Sequence, residues 1–249
     1  MTNQSSASSV LKLLADDTRW QLISELRRSD RQAGELGALL KLPQNLVSYH
    51  LGMLRQAGLV QAHRSDADAR AVYYSLDLAV LGAGYAEIGA AMQLPHNGHP
   101  ATQPVATVFF LCTQNSARSQ MAEGWLRHLS SGRIPVRSAG IAPQALHPLA
   151  IQVMAEAGVD IGYQQAKGLD ALADVVPNVV VTVCDLAREQ CPEWSNSANQ
   201  LHWSIPDPVR MHGNHEAQAQ TFRAVRDDLR QRVEGLLALL PDLTSTHRT

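Results

Sequence analysis

The stretch FFLCTQNSARSQMAEG, residues 109–124, places a cysteine between an apolar run of strand length and the first turns of a helix. The backbone N–H groups of such a loop, together with the N-terminal end of the helix, attract an oxyanion. Arg118 would hold two oxygens of that anion with its planar guanidinium. The same positive potential would favour the thiolate of Cys112, with Ser119 as a hydrogen-bond donor. This pattern predicts a thiolate nucleophile, against the alternative of a cysteine that only packs.

The residues around this loop alternate between strand and helix patterns. Apolar or β-branched runs predict strands, and amphipathic stretches between and after them predict helices. This order predicts an α/β domain with a four-stranded parallel sheet covered on both faces. The carboxyl ends of parallel strands meet at one edge, so Cys112, Cys184 and Asp207, which end predicted strands, are expected to converge there. The predicted strands are 106–112, 134–140, 178–185 and 200–207.

The first part of the chain reads as short helices followed by a hairpin. Residues 33–60 hold two short helical patterns separated by the turn KLP, which is a helix-turn-helix. Leu36, Leu39 and Leu40 form the apolar face of its first helix. Residues 59–77 then read as strand, polar turn and strand, which is a wing. The candidate DNA contacts are Gln44, Asn45, Ser48, Tyr49 and His50 on the second helix, and Arg64 and Arg70 on the wing.

The sequence LVSYHLGMLRQAGLV, residues 46–60, followed by a basic wing and YYSL, resembles the ArsR/SmtB family of winged-helix repressors. The resemblance covers about residues 8–93 and implies operator DNA as a partner. The last helical pattern, residues 77–93, then looks like the helix of a homodimer. Arsenite-sensing members carry a cysteine pair before the recognition helix, whereas residues 1–100 contain no cysteine. This domain therefore lacks the thiolate ligands that arsenite needs.

The charge of the N-terminal part leaves an alternative open. Basic and acidic residues number 9 and 9 in residues 1–100, and 12 and 14 in residues 101–249. DNA-binding proteins usually show a basic surface. A winged helix that serves only protein contacts therefore remains an alternative.

The sequence CTQNSARSQMAEGW, residues 112–125, resembles the phosphate-binding loop of low-molecular-weight protein tyrosine phosphatases and of arsenate reductases built on that fold. The resemblance covers about residues 106–242. It implies that Cys112 is the nucleophile, Arg118 the oxyanion clamp, Asn115 a residue that shapes the loop, and Asp207 the general acid. Gln114 replaces a usual glycine, and Ala117 replaces a cysteine of many relatives. The residues expected around the oxyanion are Thr113, Gln114, Asn115, Ser116, Ala117, Arg118 and Ser119.

Two further cysteines favour an arsenate reductase over a phosphatase. Cys184 and Cys191 follow the nucleophile by 72 and 79 residues, an arrangement typical of thioredoxin-coupled arsenate reductases. It implies a thiol–disulfide relay through a short helix, driven by a thioredoxin-like reductant and needing no cofactor. The tyrosines that flank a phosphotyrosine ring are missing after the Asp-Pro pair at 207–208. The alternatives are a phosphatase fused to a regulator, and a purely regulatory protein with a sensor domain derived from a reductase.

The composition of the chain predicts two domains joined by a linker. Residues 94–105, LPHNGHPATQPV, have the composition of a linker between a domain at 1–93 and a domain at 106–249. The odd cysteine count argues against a secreted disulfide framework, and we find neither a secretory signal nor a membrane-spanning run. We therefore expect a cytoplasmic protein that binds no membrane. The histidines near Asp207, at positions 202, 212 and 215, match no zinc signature, so no metal site is expected.

Overall fold

The computed structural model describes residues 7–91, 106–191, 199–210 and 214–245. The chain divides into two compact units, residues 1–101 and 102–249. The predicted linker, residues 94–105, lies outside the described residues. Within the described residues, no helix combines the length and the apolar character needed to cross a membrane.

The N-terminal unit is a winged helix-turn-helix, as predicted. Its three strands form one antiparallel sheet in the order β1-β3-β2, and β2 and β3 are the two strands of the wing. The elements are α1 Ala7–Leu14, α2 Asp17–Leu26, β1 Arg31–Gln32, α3 Ala33–Leu40, α4 Gln44–Gln56, β2 Val60–Arg64, β3 Val72–Leu76 and α5 Leu78–Ala91.

The core of this unit forms on the predicted apolar faces with one exception. Val47, Leu51 and Leu54 of α4 are buried, since their spacing places them on one side of the helix. Leu36 of α3 is also buried. Leu39, which was expected on the same apolar face, is 51% exposed and does not join the core.

The C-terminal unit contains the predicted four-stranded parallel sheet, in the order β5-β4-β6-β7. The order places β4, which ends at Cys112, in the interior of the sheet between β5 and β6. The elements are β4 Val108–Cys112, α6 Arg118–Leu129, β5 Val136–Gly140, α7 Pro148–Glu156, β6 Val179–Thr182, α8 Asp185–Gln190, β7 Asn199–His202 and α9 His215–Ser245.

The two faces of this sheet are covered unequally. On one face, Phe110 and Cys112 belong to the large core that also includes residues of α6, α7 and α9. On the other face, Phe109 and Leu111 belong to a smaller cluster that includes a short 3-10 turn at Leu169–Leu172. This alternation along β4 follows from the period of two in a strand. It places the Cys112 side chain on the side of the sheet where α6 begins.

Candidate active site

The loop between β4 and α6 wraps around the sulfur of Cys112. The backbone N–H of Asn115 donates a hydrogen bond to Cys112 Sγ at 3.0 Å. The same sulfur lies 2.8 Å from Ser119 Oγ. Cys112 is only 3% exposed, so these contacts form in a largely dry environment. The structure thus places the predicted nucleophile within hydrogen-bond reach of a backbone N–H and a serine hydroxyl.

Asn115 shapes the loop through both its backbone and its side chain. Its φ of 47° lies in the left-handed region, which asparagine tolerates better than most residues. The side-chain amide donates to Ser119 Oγ at 2.9 Å and to Ser138 Oγ at 2.8 Å. Its carbonyl oxygen accepts from Lys167 N at 2.7 Å and from Gln120 Nε2 at 3.0 Å. These bonds hold the turn that brings the Asn115 N–H to the sulfur.

The connection between β5 and α7 holds the loop from outside. Its backbone N–H groups donate to the carbonyl oxygens of Thr113, Gln114 and Ser116 at 2.8, 2.9 and 2.9 Å. Because a planar peptide directs its N–H opposite to its C=O, these bonds turn the following N–H groups inward. Gly140 permits this close approach, since a Cβ atom there would lie 2.6 Å from the Asn115 nitrogen. Gln114, where a glycine is usual, is not among the described residues with positive φ.

Arg118 begins α6 and lies next to the predicted general acid. Its NH2 atom is 3.0 Å from Asp207 Oδ2, and its NH1 atom donates to Ile205 O at 2.8 Å. The guanidinium is nearly buried, so the ion pair is poorly screened. Asp207 was predicted to end a strand, but β7 ends at His202, and Asp207 lies five residues beyond it. The loop after β7 therefore brings Asp207, the predicted general acid, to Arg118.

Cys184 lies beside the same loop, two residues past the end of β6 rather than within it. Its sulfur is 3.3 Å from Thr113 Oγ1, and it caps α8 by accepting from Ala187 N at 3.4 Å. Burial raises the pKa of the Cys184 thiol, while the charge of Arg118 acts in the opposite direction. Thr113, which follows the nucleophile Cys112 in sequence, thus contacts Cys184, the second predicted thiol of the relay.

Cys191 lies at the other end of α8, which confirms the short helix expected between the two relay cysteines. It is partly buried and packs against both the large core and the smaller cluster. Burial raises its pKa to about 11. Seven steps along a helix, from position 184 to position 191, span roughly 10 Å, whereas the Cα atoms of a disulfide lie within about 7 Å of each other. Cys184 and Cys191 can therefore pair only if α8 unwinds.

The candidate DNA-binding residues of α4 divide into two groups. Gln44, Asn45, Ser48 and Tyr49 are exposed, and Tyr49 keeps 62% of its surface accessible. His50 differs from these four, because its side chain is buried and its Nδ1 atom lies 3.7 Å from Asp16 Oδ1. Position 50 falls on the core side of α4, three residues after Val47.

The wing presents both predicted arginines to solvent. Arg64 donates to Ala69 O at 3.0 Å, which stabilises the tip of the hairpin. Arg70 is bidentate to Asp68, with both N···O distances at 3.1 Å. Asp68 therefore offsets the charge that Arg70 would offer to phosphate.

Sequence reasoning missed two buried polar groups near the site. The first includes the carboxylate of Glu123, which accepts from Ser138 Oγ at 2.6 Å and from Arg127 NH2 at 2.7 Å. It extends the hydrogen bonds of Asn115 into the core. The second surrounds the carboxylate of Asp185 at the start of α8. The residues of neither group have a characteristic spacing along the sequence. The only sequence feature that could have indicated them is that these polar residues follow apolar runs or lie between them.

Comparisons with known sequences match two separate parts of the chain. Residues 107–245 match the family model described as low molecular weight phosphotyrosine protein phosphatase. Residues 16–62 match the model described as bacterial regulatory protein, arsR family. The second match includes α2 through α4, which contain the helix-turn-helix.

Individual relatives match the C-terminal unit. The arsenate reductase of Bacillus subtilis is 39% identical over 129 residues, which cover 51% of this chain and 91% of that protein. The arsenate reductase of Halalkalibacterium halodurans is 37% identical over 127 residues, which cover 51% and 91%. A protein of Synechocystis sp. named glutaredoxin arsenate reductase is 36% identical over 132 residues, which cover 53% and 95%.

Proposed function

Because this chain belongs to the low molecular weight phosphotyrosine protein phosphatase family, we propose that its C-terminal domain reduces arsenate to arsenite through a relay of three thiols. The observation that carries the proposal is the contact between Cys184 Sγ and Thr113 Oγ1, beside the nucleophile Cys112. A phosphatase needs one thiol at this site, whereas a reductase needs a second within reach. The names of the relatives at 36–39% identity support the same activity.

The first step is substitution at arsenic. The loop N–H groups and Arg118 hold the arsenate oxygens, and the Cys112 thiolate attacks the arsenic atom. A hydroxyl of arsenate leaves as water, with its proton supplied by Asp207. Arg118 and Asp207 are paired at 3.0 Å, so the oxyanion takes the place of the carboxylate on the guanidinium.

The next steps transfer two electrons. The Cys184 thiolate attacks Cys112 Sγ, the S–As bond breaks, and its electron pair stays on arsenic, which leaves as arsenite. The Cys112–Cys184 disulfide so formed is then attacked at Cys184 by the Cys191 thiolate, which releases the Cys112 thiolate. The chain has lost two electrons and holds a Cys184–Cys191 disulfide, while arsenic has gone from the +5 to the +3 state.

The cycle closes with a dithiol protein of the thioredoxin class. Its two thiols are oxidised to a disulfide as Cys184 and Cys191 return to thiols, so electrons balance. A pair of adjacent protein thiols suits this step because the substrate is itself an intramolecular disulfide. We place the reaction in the cytoplasm, since it starts from reduced Cys112, Cys184 and Cys191 and a reducing compartment maintains them.

The N-terminal domain acts as an ArsR-type transcriptional regulator. The exposed start of α4 reads operator DNA through Gln44, Asn45, Ser48 and Tyr49, and Arg64 of the wing meets phosphate. We propose a homodimer formed through α5, which gives the two-fold symmetry of an operator. The absence of cysteine from residues 1–100 leaves the thiols of the C-terminal domain as the ligands for arsenite.

A phosphatase is the second candidate, because Cys112, Arg118 and Asp207 suffice for phosphoryl transfer. We expect slow aryl-phosphate hydrolysis beside arsenate reduction. The test is an assay of the purified chain for both activities with thioredoxin, thioredoxin reductase and NADPH. Arsenate-dependent NADPH oxidation that needs thioredoxin supports the reductase. Aryl-phosphate hydrolysis with no arsenate-dependent NADPH oxidation supports the phosphatase.

A further inference from the structure

A buried polar cluster holds the first residue of α8 to the end of β7. The carboxylate of Asp185 accepts a short hydrogen bond from Ser204 Oγ, and its Oδ1 atom is 3.0 Å from His202 Nε2. The other ring nitrogen of His202 lies 2.8 Å from Thr182 Oγ1. Asp185, His202 and Ser204 are each at most 3% exposed. None of them has a part in the reaction described above.

Burying the Asp185 carboxylate carries an energetic cost that its hydrogen bonds must offset. A carboxylate withdrawn from water is strongly destabilised unless hydrogen bonds compensate for the lost hydration. Ser204 and His202 supply that compensation only while Asp185 keeps its position, so the bonds fix it tightly. Asp185 follows Cys184 directly, and the backbone of Cys184 is fixed with it.

The two ends of α8 are held by different forces. At the N-terminal end are the buried polar cluster and the cap that Cys184 provides. At the C-terminal end, Cys191 is partly exposed and packs against both the large core and the smaller cluster. A helix of six residues has little stability of its own, so it depends on the contacts at its ends. Detaching the C-terminal end breaks apolar contacts, whereas detaching the N-terminal end would also leave a buried carboxylate without its hydrogen-bond partners.

We propose that Asp185 is the positioning residue of the relay, a pivot that keeps Cys184 beside Cys112 while the rest of α8 unwinds to deliver Cys191. This inference rests on the proposed arsenate reduction. Cys184 must first reach Cys112 Sγ, where the S–As bond breaks and its electron pair leaves with arsenite. It must then receive the attack of Cys191 without moving away. A fixed Cys184 and a mobile Cys191 serve both steps.

The test measures the first transfer alone. In the Cys191→Ser chain the relay stops at the Cys112–Cys184 disulfide, so a single turnover with arsenate releases one arsenite at the rate of Cys184 attack. We expect Asp185→Ala in that background to slow arsenite release by about tenfold or more, because a small displacement of reacting atoms costs orders of magnitude in rate. Asp185→Asn still accepts the Ser204 hydrogen bond and should lose less.

Two controls separate a pivot from general support of the fold. Glu189→Ala changes an exposed residue of the same helix and should release arsenite at the parent rate. Aryl-phosphate hydrolysis needs no relay thiol and should be unchanged in Asp185→Ala. A parallel loss of hydrolysis in that variant would overturn the inference, since Asp185 would then support the Cys112 site as a whole.

The remaining outcomes are also decisive. Arsenite release at the parent rate in Asp185→Ala would overturn the pivot while leaving the reductase intact. If Asp185→Ala fails to fold by circular dichroism, Ser204→Ala and Asp185→Asn carry the test. Both should then be slower than the parent, and parent rates in both would overturn the inference. A Cys191→Ser parent that releases no arsenite would overturn the reductase itself, and with it the pivot.

Discussion

Ser119 Oγ lies 2.8 Å from Cys112 Sγ and also accepts a hydrogen bond from Asn115 Nδ2 at 2.9 Å. When Cys112 reacts as a thiolate it can only accept, so the Ser119 hydroxyl is then the donor in this contact. The same oxygen keeps a lone pair for the Asn115 amide. The two residues thus form one hydrogen-bonded unit around the sulfur.

Ser119→Ala should therefore make the nucleophile less reactive. Hydrogen bonds to charged groups contribute about 1.5–3 kcal/mol, which corresponds to roughly a ten- to hundredfold loss of rate. The rate of alkylation of Cys112 by iodoacetamide at pH 7 and the rate of aryl-phosphate hydrolysis would report this. Ser116→Ala is the matched control, since its hydroxyl donates to Ala145 O instead of the sulfur. Equal alkylation rates in both variants would refute the role given to Ser119.

Cys184→Ser and Cys191→Ser should separate the two enzyme activities. Each variant should lose arsenate-dependent turnover with thioredoxin, because the electrons pass through both thiols. Each should retain most aryl-phosphate hydrolysis, which needs only Cys112, Arg118 and Asp207. Steady-state assays of both activities on the same preparations would check this. Wild-type arsenate turnover in either variant would remove that cysteine from the relay.

The second transfer should accelerate with pH. Burial raises the pKa of Cys191 to about 11, so at neutral pH its reactive thiolate is scarce in the packed position. Raising the pH toward that value increases the thiolate fraction, by about tenfold per unit well below the pKa. Stopped-flow quenching with mass spectrometry would follow conversion of the first disulfide to Cys184–Cys191 between pH 7 and 9. A rate that levels off at about pH 8.5 would mean that Cys191 ionises after α8 has unwound, as a thiol of ordinary acidity. A flat profile between pH 7 and 9 would contradict the prediction, because neither a buried nor an exposed thiol is fully ionised at pH 7.

Tyr49 and His50 should give opposite phenotypes despite being neighbours. Tyr49 is 62% exposed, so Tyr49→Ala should weaken operator binding, by about 1–3 kcal/mol if it contacts a base, with little change in melting temperature. His50 is buried, so His50→Ala should lower the melting temperature of its domain. Fluorescence anisotropy and thermal unfolding of the full chain measure both. Normal stability with lost DNA binding in His50→Ala would restore it as a contact residue.

The sequence alone predicted the catalytic loop because its chemistry requires a fixed spacing. A thiol and an arginine that grip one oxyanion must flank one tight loop, and Cys112 and Arg118 therefore keep a recognisable distance along the chain. The four-stranded sheet was predictable for a similar reason, since apolar runs such as 106–112 reflect local burial.

His50 and the cluster around Asp185 show where local sequence patterns fail. Position 50 lies near the polar start of α4, so composition groups it with the DNA-facing residues, whereas the helical period returns its side chain to the core. Asp185, Ser204 and His202 meet only through the pairing of β6 with β7, which no sequence spacing records. Contacts of this kind arise from tertiary structure and are visible only once the sheet is formed.

The most direct test of the central claim is a single turnover of the reduced full chain with excess arsenate, under anaerobic conditions and without any reductant. The account predicts about one arsenite released per chain, together with a Cys184–Cys191 disulfide and a free Cys112 thiol in the non-reduced digest. Cys112→Ser should release none, because an alkoxide is far harder to form than a thiolate. A wild-type chain that hydrolyses aryl phosphate but releases no arsenite, with all three thiols still reduced, would contradict the account.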